Sequence, residues 1–156
     1  MRRATCSCGA LSIETRGEPA RVLICSCTQC QKRTGSVYGV SAYFREEDIA
    51  SRTGAASVFT RKGESGKTLT FNFCSVCGSS LHWTAELLPG LVGVAYGAFE
   101  AGDALPYPDG AFWLQHKADW VPMPDDTPGH PTTPSRAQGV GTAPAAAGGE
   151  AAQAGE

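Results

Sequence analysis

The chain has 156 residues, a formal net charge of -2 and seven cysteines. That length holds one core, and an odd thiol count with no N-terminal apolar run argues against a closed secretory disulfide framework. No segment nears the ~20 apolar residues of a bilayer span, and the basic residues come singly or in pairs, so membrane and nucleic-acid partners are disfavoured and the cytoplasm is the expected location.

In chain order, Cys6-Ser7-Cys8-Gly9 is followed by short apolar or alternating runs: ALSIE, ARVLIC, VYGVSAYF, ASVFTRK, TLTFNF, SLHWT, LVGVAYG and FWLQ. Gly, Pro and polar turns divide them, a spacing that predicts an antiparallel all-β domain rather than alternating β/α units. Two short helical turns are expected. One spans Thr28 to Thr34 and ends on Gly35; the other spans Arg45 to Ala50, where Glu46, Glu47 and Asp48 suit a helix N-terminus. From Asp125 on there is no aromatic residue and a single valine, too little apolar surface to offset ordering entropy. Residues 1–124 are therefore read as the folded domain and 125–156 as a disordered Ala/Gly/Pro-rich tail.

The thiols fall into three groups: Cys6 with Cys8, the triplet Cys25, Cys27 and Cys30 in CSCTQC, and Cys74 with Cys77. Both doublets end in glycine, Gly9 and Gly78, which suits the tight turn of a metal knuckle. Four thiolates from the doublets would close a tetrahedral structural zinc site and staple the N-terminal strand to a strand near residue 74. A redox pair at Cys74 and Cys77 fits less well, because no βαβ setting surrounds it. Three thiolates then remain for a second zinc ion with an open position, which makes them the candidate catalytic residues. Two alternatives stand beside that reading. One of His82, His116 or His130 could complete a second closed site, or the triplet thiols could act directly, as a redox sensor does, with pKa values lowered at the start of a short helix. Lys32 and Arg33 follow the triplet and either offset its charge, meet a substrate carboxylate or are merely solvated.

The pattern CxCG, CxCxxCxxxxG and FxFCxxCGxxL resembles the glutathione-dependent formaldehyde-activating family, which includes centromere protein V. The likeness runs through Cys6, Cys8 and Gly9, through Cys25, Cys27, Cys30 and Gly35, and through Phe71, Phe73, Cys74, Cys77, Gly78 and Leu81. FWLQHKADW, with Lys117 and Trp120, resembles the family's C-terminal segment, so the likeness covers about residues 5 to 122. It implies a β-tent fold and two zinc ions, a structural one on Cys6, Cys8, Cys74 and Cys77 and a catalytic one on Cys25, Cys27 and Cys30. Ser26 and Ala111 stand where many members have histidine.

Three thiolates on a dication leave a net charge of about -1, a poor centre for making hydroxide but a soft one suited to a fourth sulfur. The resemblance implies a carbon-sulfur lyase of the S-(hydroxymethyl)glutathione synthase type, joining a glutathione-like thiol to formaldehyde or another aldehyde. A zinc-stabilised binding module without catalysis is the competing expectation, and no oligomeric state follows from the residues.

Overall fold

A computed structural model describes residues 1–133. Among them are ten strands and one α-helix: β1 (Arg2–Thr5), β2 (Ser12–Thr15), β3 (Arg21–Cys25), α1 (Thr28–Thr34), β4 (Gly39–Arg45), β5 (Ile49–Thr53), β6 (Ala56–Lys62), β7 (Thr68–Cys74), β8 (Ser80–Ala85), β9 (Leu91–Ala95) and β10 (Gly110–Phe112). They form a three-stranded sheet in the order β1-β2-β5 and a seven-stranded sheet in the order β10-β3-β4-β9-β8-β7-β6. The all-β expectation holds, and its pairing is antiparallel throughout except where β10 runs parallel to β3 at the edge.

Strand alternation sets the two faces of the large sheet. Ala42 and Phe44 of β4 lie opposite Val94 and Val92 of β9, and all four enter the core with Leu11 and Ile13 from the small sheet. The intervening positions, Tyr43 on β4, Gly93 on β9 and Trp83 on β8, are register partners on the other face. Thus one face of each central strand holds the two sheets together, and the other carries an aromatic surface.

Helix α1 has the expected limits. Gly35 closes it with φ 65°, its N-H donating to the Gln31 carbonyl at 2.8 Å. The second helical turn is shorter than expected, a 3-10 turn over Glu46–Asp48, because Ile49 already begins β5. FWLQ leaves the sheet after Phe112; Trp113 takes φ 61° and Leu114–His116 form a 3-10 turn. Residues 125–133, assigned by composition to the tail, return along β10. The Ala111 N-H donates to the Pro128 carbonyl, the His130 N-H donates to the Ala111 carbonyl, and Trp113 Nε1 donates to Thr133 Oγ1, each at 2.8 Å. Backbone pairing to an open strand edge needs no apolar side chains, so composition does not report it. The rest of the expected tail, 134–156, lies outside the described residues.

Candidate metal centres

Two turns bring the first four sulfurs together. After β1, the Cys6 N-H donates to the Leu11 carbonyl at 2.9 Å and the Leu11 N-H donates to Cys6 Sγ at 3.2 Å. After β7, the Gly78 N-H donates to the Cys74 carbonyl at 2.9 Å and the Val76 N-H to Cys74 Sγ at 3.4 Å. Gly9 and Gly78 have φ of 76° and 75°, the left-handed backbone that side-chain-bearing residues adopt at a cost. Ser79 ties one turn to the other, its Oγ lying 3.0 Å from Ser7 Oγ and 3.3 Å from Cys77 Sγ.

The sulfurs of Cys6, Cys8, Cys74 and Cys77 all lie within 4.8 Å of one another. Cys8 Sγ is 3.6 Å from Cys6 Sγ and 3.7 Å from Cys74 Sγ. Four thiolates at 2.3 Å from a tetrahedral zinc ion would be separated by about 3.8 Å. Donor softness, donor number and spacing therefore all fit zinc. The Ser79 hydroxyl first and its backbone next pull the Cys77 thiol down to about 5, while Cys8, against the lowering effect of the Ala10 backbone, is pushed up to about 12 by its bonds to Cys77 and Cys6.

Cys25, Cys27 and Cys30 form the second group, again with all sulfurs within 4.8 Å. Cys25 ends β3, Cys27 is the N-cap of α1 and Cys30 lies on its first turn, so a strand end and one helical turn bring the three sulfurs together. Cys27 Sγ accepts the Cys30 N-H at 3.4 Å. Hydrogen bonding from Cys25, then from Cys30, holds the Cys27 thiol far below the usual range, while the bond to Cys27 pushes Cys25 up and burial adds to the rise. No histidine nitrogen or carboxylate of the described residues joins either group. His82 is buried on β8, where burial first and the Arg52 charge second lower its pKa; His116 stacks on Trp113, and His130 packs on Phe112.

Gln31 has no signature that sequence reasoning could have used, yet it fixes the triplet loop. Its Nε2 donates to the Ser26 carbonyl at 2.7 Å and to the His116 carbonyl at 3.0 Å, while the Ser26 N-H donates to the Phe112 carbonyl at 2.9 Å. The loop is therefore held from both sides, by β10 and by the turn that follows it. Ser26 is fully buried, and Ala111 lies buried between β3 and the returning residues 128–130.

Lys32 and Arg33, equivalent in sequence, separate in space. Lys32 is exposed, whereas the Arg33 guanidinium lies 4.3 Å over the Trp83 ring and 5.8 Å from that of Phe71. Trp83 in turn spreads across Gly93, where a Cβ would meet Nε1 at 2.3 Å. An open cleft of about 690 Å³ runs past Arg33, Gly39 and Tyr96 to Ser79 and to Cys6, the one cysteine that lines it.

The chain matches the family described as glutathione-dependent formaldehyde-activating enzyme over residues 1–116. Among solved structures it is similar to a Rhodobacter sphaeroides protein, with 25% identity, a TM-score of 0.50, and coverage of 67% of this chain and 91% of that one. No functionally curated protein matches it.

Proposed function

Because the chain belongs to the glutathione-dependent formaldehyde-activating enzyme family, we propose that it joins a small thiol to an aldehyde, or cleaves the resulting adduct, beside Cys25, Cys27 and Cys30. In this reading Cys6, Cys8, Cys74 and Cys77 hold a structural zinc ion and the triplet holds a catalytic one. The observation that carries it is the unequal grouping: four sulfurs complete a tetrahedron, and three leave one place for a guest. A zinc ion on the triplet would supply a soft Lewis acid that favours sulfur and eases loss of the thiol proton near neutral pH.

The protein's own part is positional. Gln31 and the Phe112 carbonyl hold the loop that presents Cys25 and Cys27, and α1 fixes Cys30 one turn on. In the forward direction a carbon-sulfur bond forms at the aldehyde carbon, the carbonyl electron pair moves to oxygen, and the thiol proton ends on that oxygen. Nothing is oxidised or reduced. The reverse breaks the same bond and returns both partners. Bringing the partners together supplies most of what such an addition needs.

Metal analysis and an adduct assay test the proposal together. The expected result is two zinc ions per chain in the natural protein, one in Cys27→Ala, and loss of thiol-aldehyde exchange in that variant. A natural protein with one ion, or a Cys27→Ala variant with undiminished zinc and activity, would overturn it.

A further inference from the structure

We propose that Arg33 is the carboxylate-reading residue of the thiol site, selecting thiols that carry a carboxylate a few bonds from sulfur. The inference rests on the reading of the triplet given above and adds to it the chemical class of the thiol.

Arg33 is a half-buried cation with no carboxylate partner among the described residues, its nearest anionic neighbour being the triplet through Cys30. Its neighbours are the indole of Trp83 at 4.3 Å and the Phe71 ring at 5.8 Å, and among the described residues it makes neither an ion pair nor a side-chain hydrogen bond. Two other arginines pair with carboxylates, Arg2 with Glu18 at 2.5 Å and Arg52 with Glu46 at 2.7 Å, and what sets Arg33 apart from the rest is its seat on the Trp83 ring beside Cys30. A guanidinium stacked on rings keeps its plane and its five N-H donors in a fixed orientation, which suits two-point recognition of a carboxylate. A carboxylate arriving at this partly desolvated guanidinium would gain a charge-assisted pair.

Its position couples this group to the triplet. A Cβ placed on Gly39 would lie 2.9 Å from Arg33 Nη2 and 3.7 Å from Cys30 Cβ, so the guanidinium and Cys30 face each other across one glycine. Gly39 is also the register partner of Cys25. Arg33 further lines the cleft of about 690 Å³, a size that accepts a small peptide-like ligand. Cys25, Cys27 and Cys30 do not line that cleft, so the link is Arg33 itself, which borders the cleft and shares the surroundings of Gly39 with Cys30; a thiol held at the triplet would lay its carboxylate against it there. Arg61, 5.6 Å from the other contact of Arg33, the Phe71 ring, is a second guanidinium with no carboxylate partner among the described residues and would favour a dicarboxylate.

Calorimetric titration of the zinc-loaded protein with glutathione, glutathione diethyl ester and S-methylglutathione tests the proposal, in the natural chain, Arg33→Met and Arg33→Lys. Far-ultraviolet circular dichroism confirms that the variants are folded. Natural protein should bind glutathione at least tenfold tighter than the diester, and Arg33→Met should erase most of that preference, a loss of about tenfold to a hundredfold expected for a charge-assisted pair. Arg33→Lys should restore only part of it, because the charge remains and the fork does not. If glutathione and its diester bind alike, or Arg33→Met keeps the preference, the inference fails while thiol binding stands. If S-methylglutathione binds as tightly as glutathione and both depend on Arg33, the inference stands and the thiol reading of the triplet fails. Binding of none of the three overturns both.

Discussion

Gln31 shows how a residue without chemistry of its own can set the chemistry beside it. Both hydrogens of its amide are used, on the carbonyls of Ser26, inside the triplet, and of His116, in the turn after β10. Ser26 itself sits between two ligands and is fully buried, so any shift of its peptide moves Cys25 and Cys27 together. Groups that orient metal ligands typically change affinity by about 10-fold to 100-fold when removed. Gln31→Leu keeps the volume and helix propensity but gives up both bonds. It should weaken zinc binding at the triplet by about that factor and leave the four-sulfur group unchanged. Titration of the zinc-loaded protein with a colorimetric chelator resolves the two classes of ion; equal weakening of both, or of neither, would show that Gln31 does not hold the loop.

Elements were legible where a single segment decides them. Helix α1 is announced by the Gly35 that ends it, a local signal, and the grouping of four and three thiols follows from spacing. Strands β1 and β5 are not announced locally: RRAT is polar, Ile49 and Ala50 fall inside the helical turn expected over Arg45 to Ala50, and both segments become strands only by pairing with β2. The parallel pairing of β10 and the return of residues 125–133 depend on edges that exist only once the sheet has formed. The layer of Gly93, Trp83 and Arg33 is of the same kind, since its members come from β9, β8 and α1. There Gly93 is needed for space: a Cβ would stand 2.3 Å from Nε1 and 2.5 Å from Cε2 of the indole. Gly93→Ala should cost about 1–3 kcal/mol through overpacking. It should also lift Trp83, which is 3% exposed, toward solvent and shift indole fluorescence to the red. Unchanged stability and emission would mean that the indole has room the close approach does not suggest.

At the scale of the whole molecule, the four-sulfur group joins the two sheets. Cys6 and Cys8 lie in the turn between β1 and β2, and Cys74 ends β7 of the large sheet, 66 positions from Cys8. The apolar contact between the sheets includes Leu11, Ile13, Phe44, Leu81, Val92 and Val94. A structural ion binds the folded arrangement and not the open chain, so it adds folding free energy by mass action; at free zinc about 1,000 times the dissociation constant the gain is about 4 kcal/mol. Cys8 is the ligand with which to measure this, because its side chain is exposed and its removal leaves no cavity. Cys8→Ala should therefore match the natural protein when both are stripped of metal, and fall below it by several kcal/mol when both are supplied with zinc. Urea unfolding followed by indole fluorescence gives all four values. If the variant were as stable as the natural chain in zinc, the sheets would be held by their apolar contact alone. If it were less stable even without metal, Cys8 would contribute by packing, which its exposure argues against.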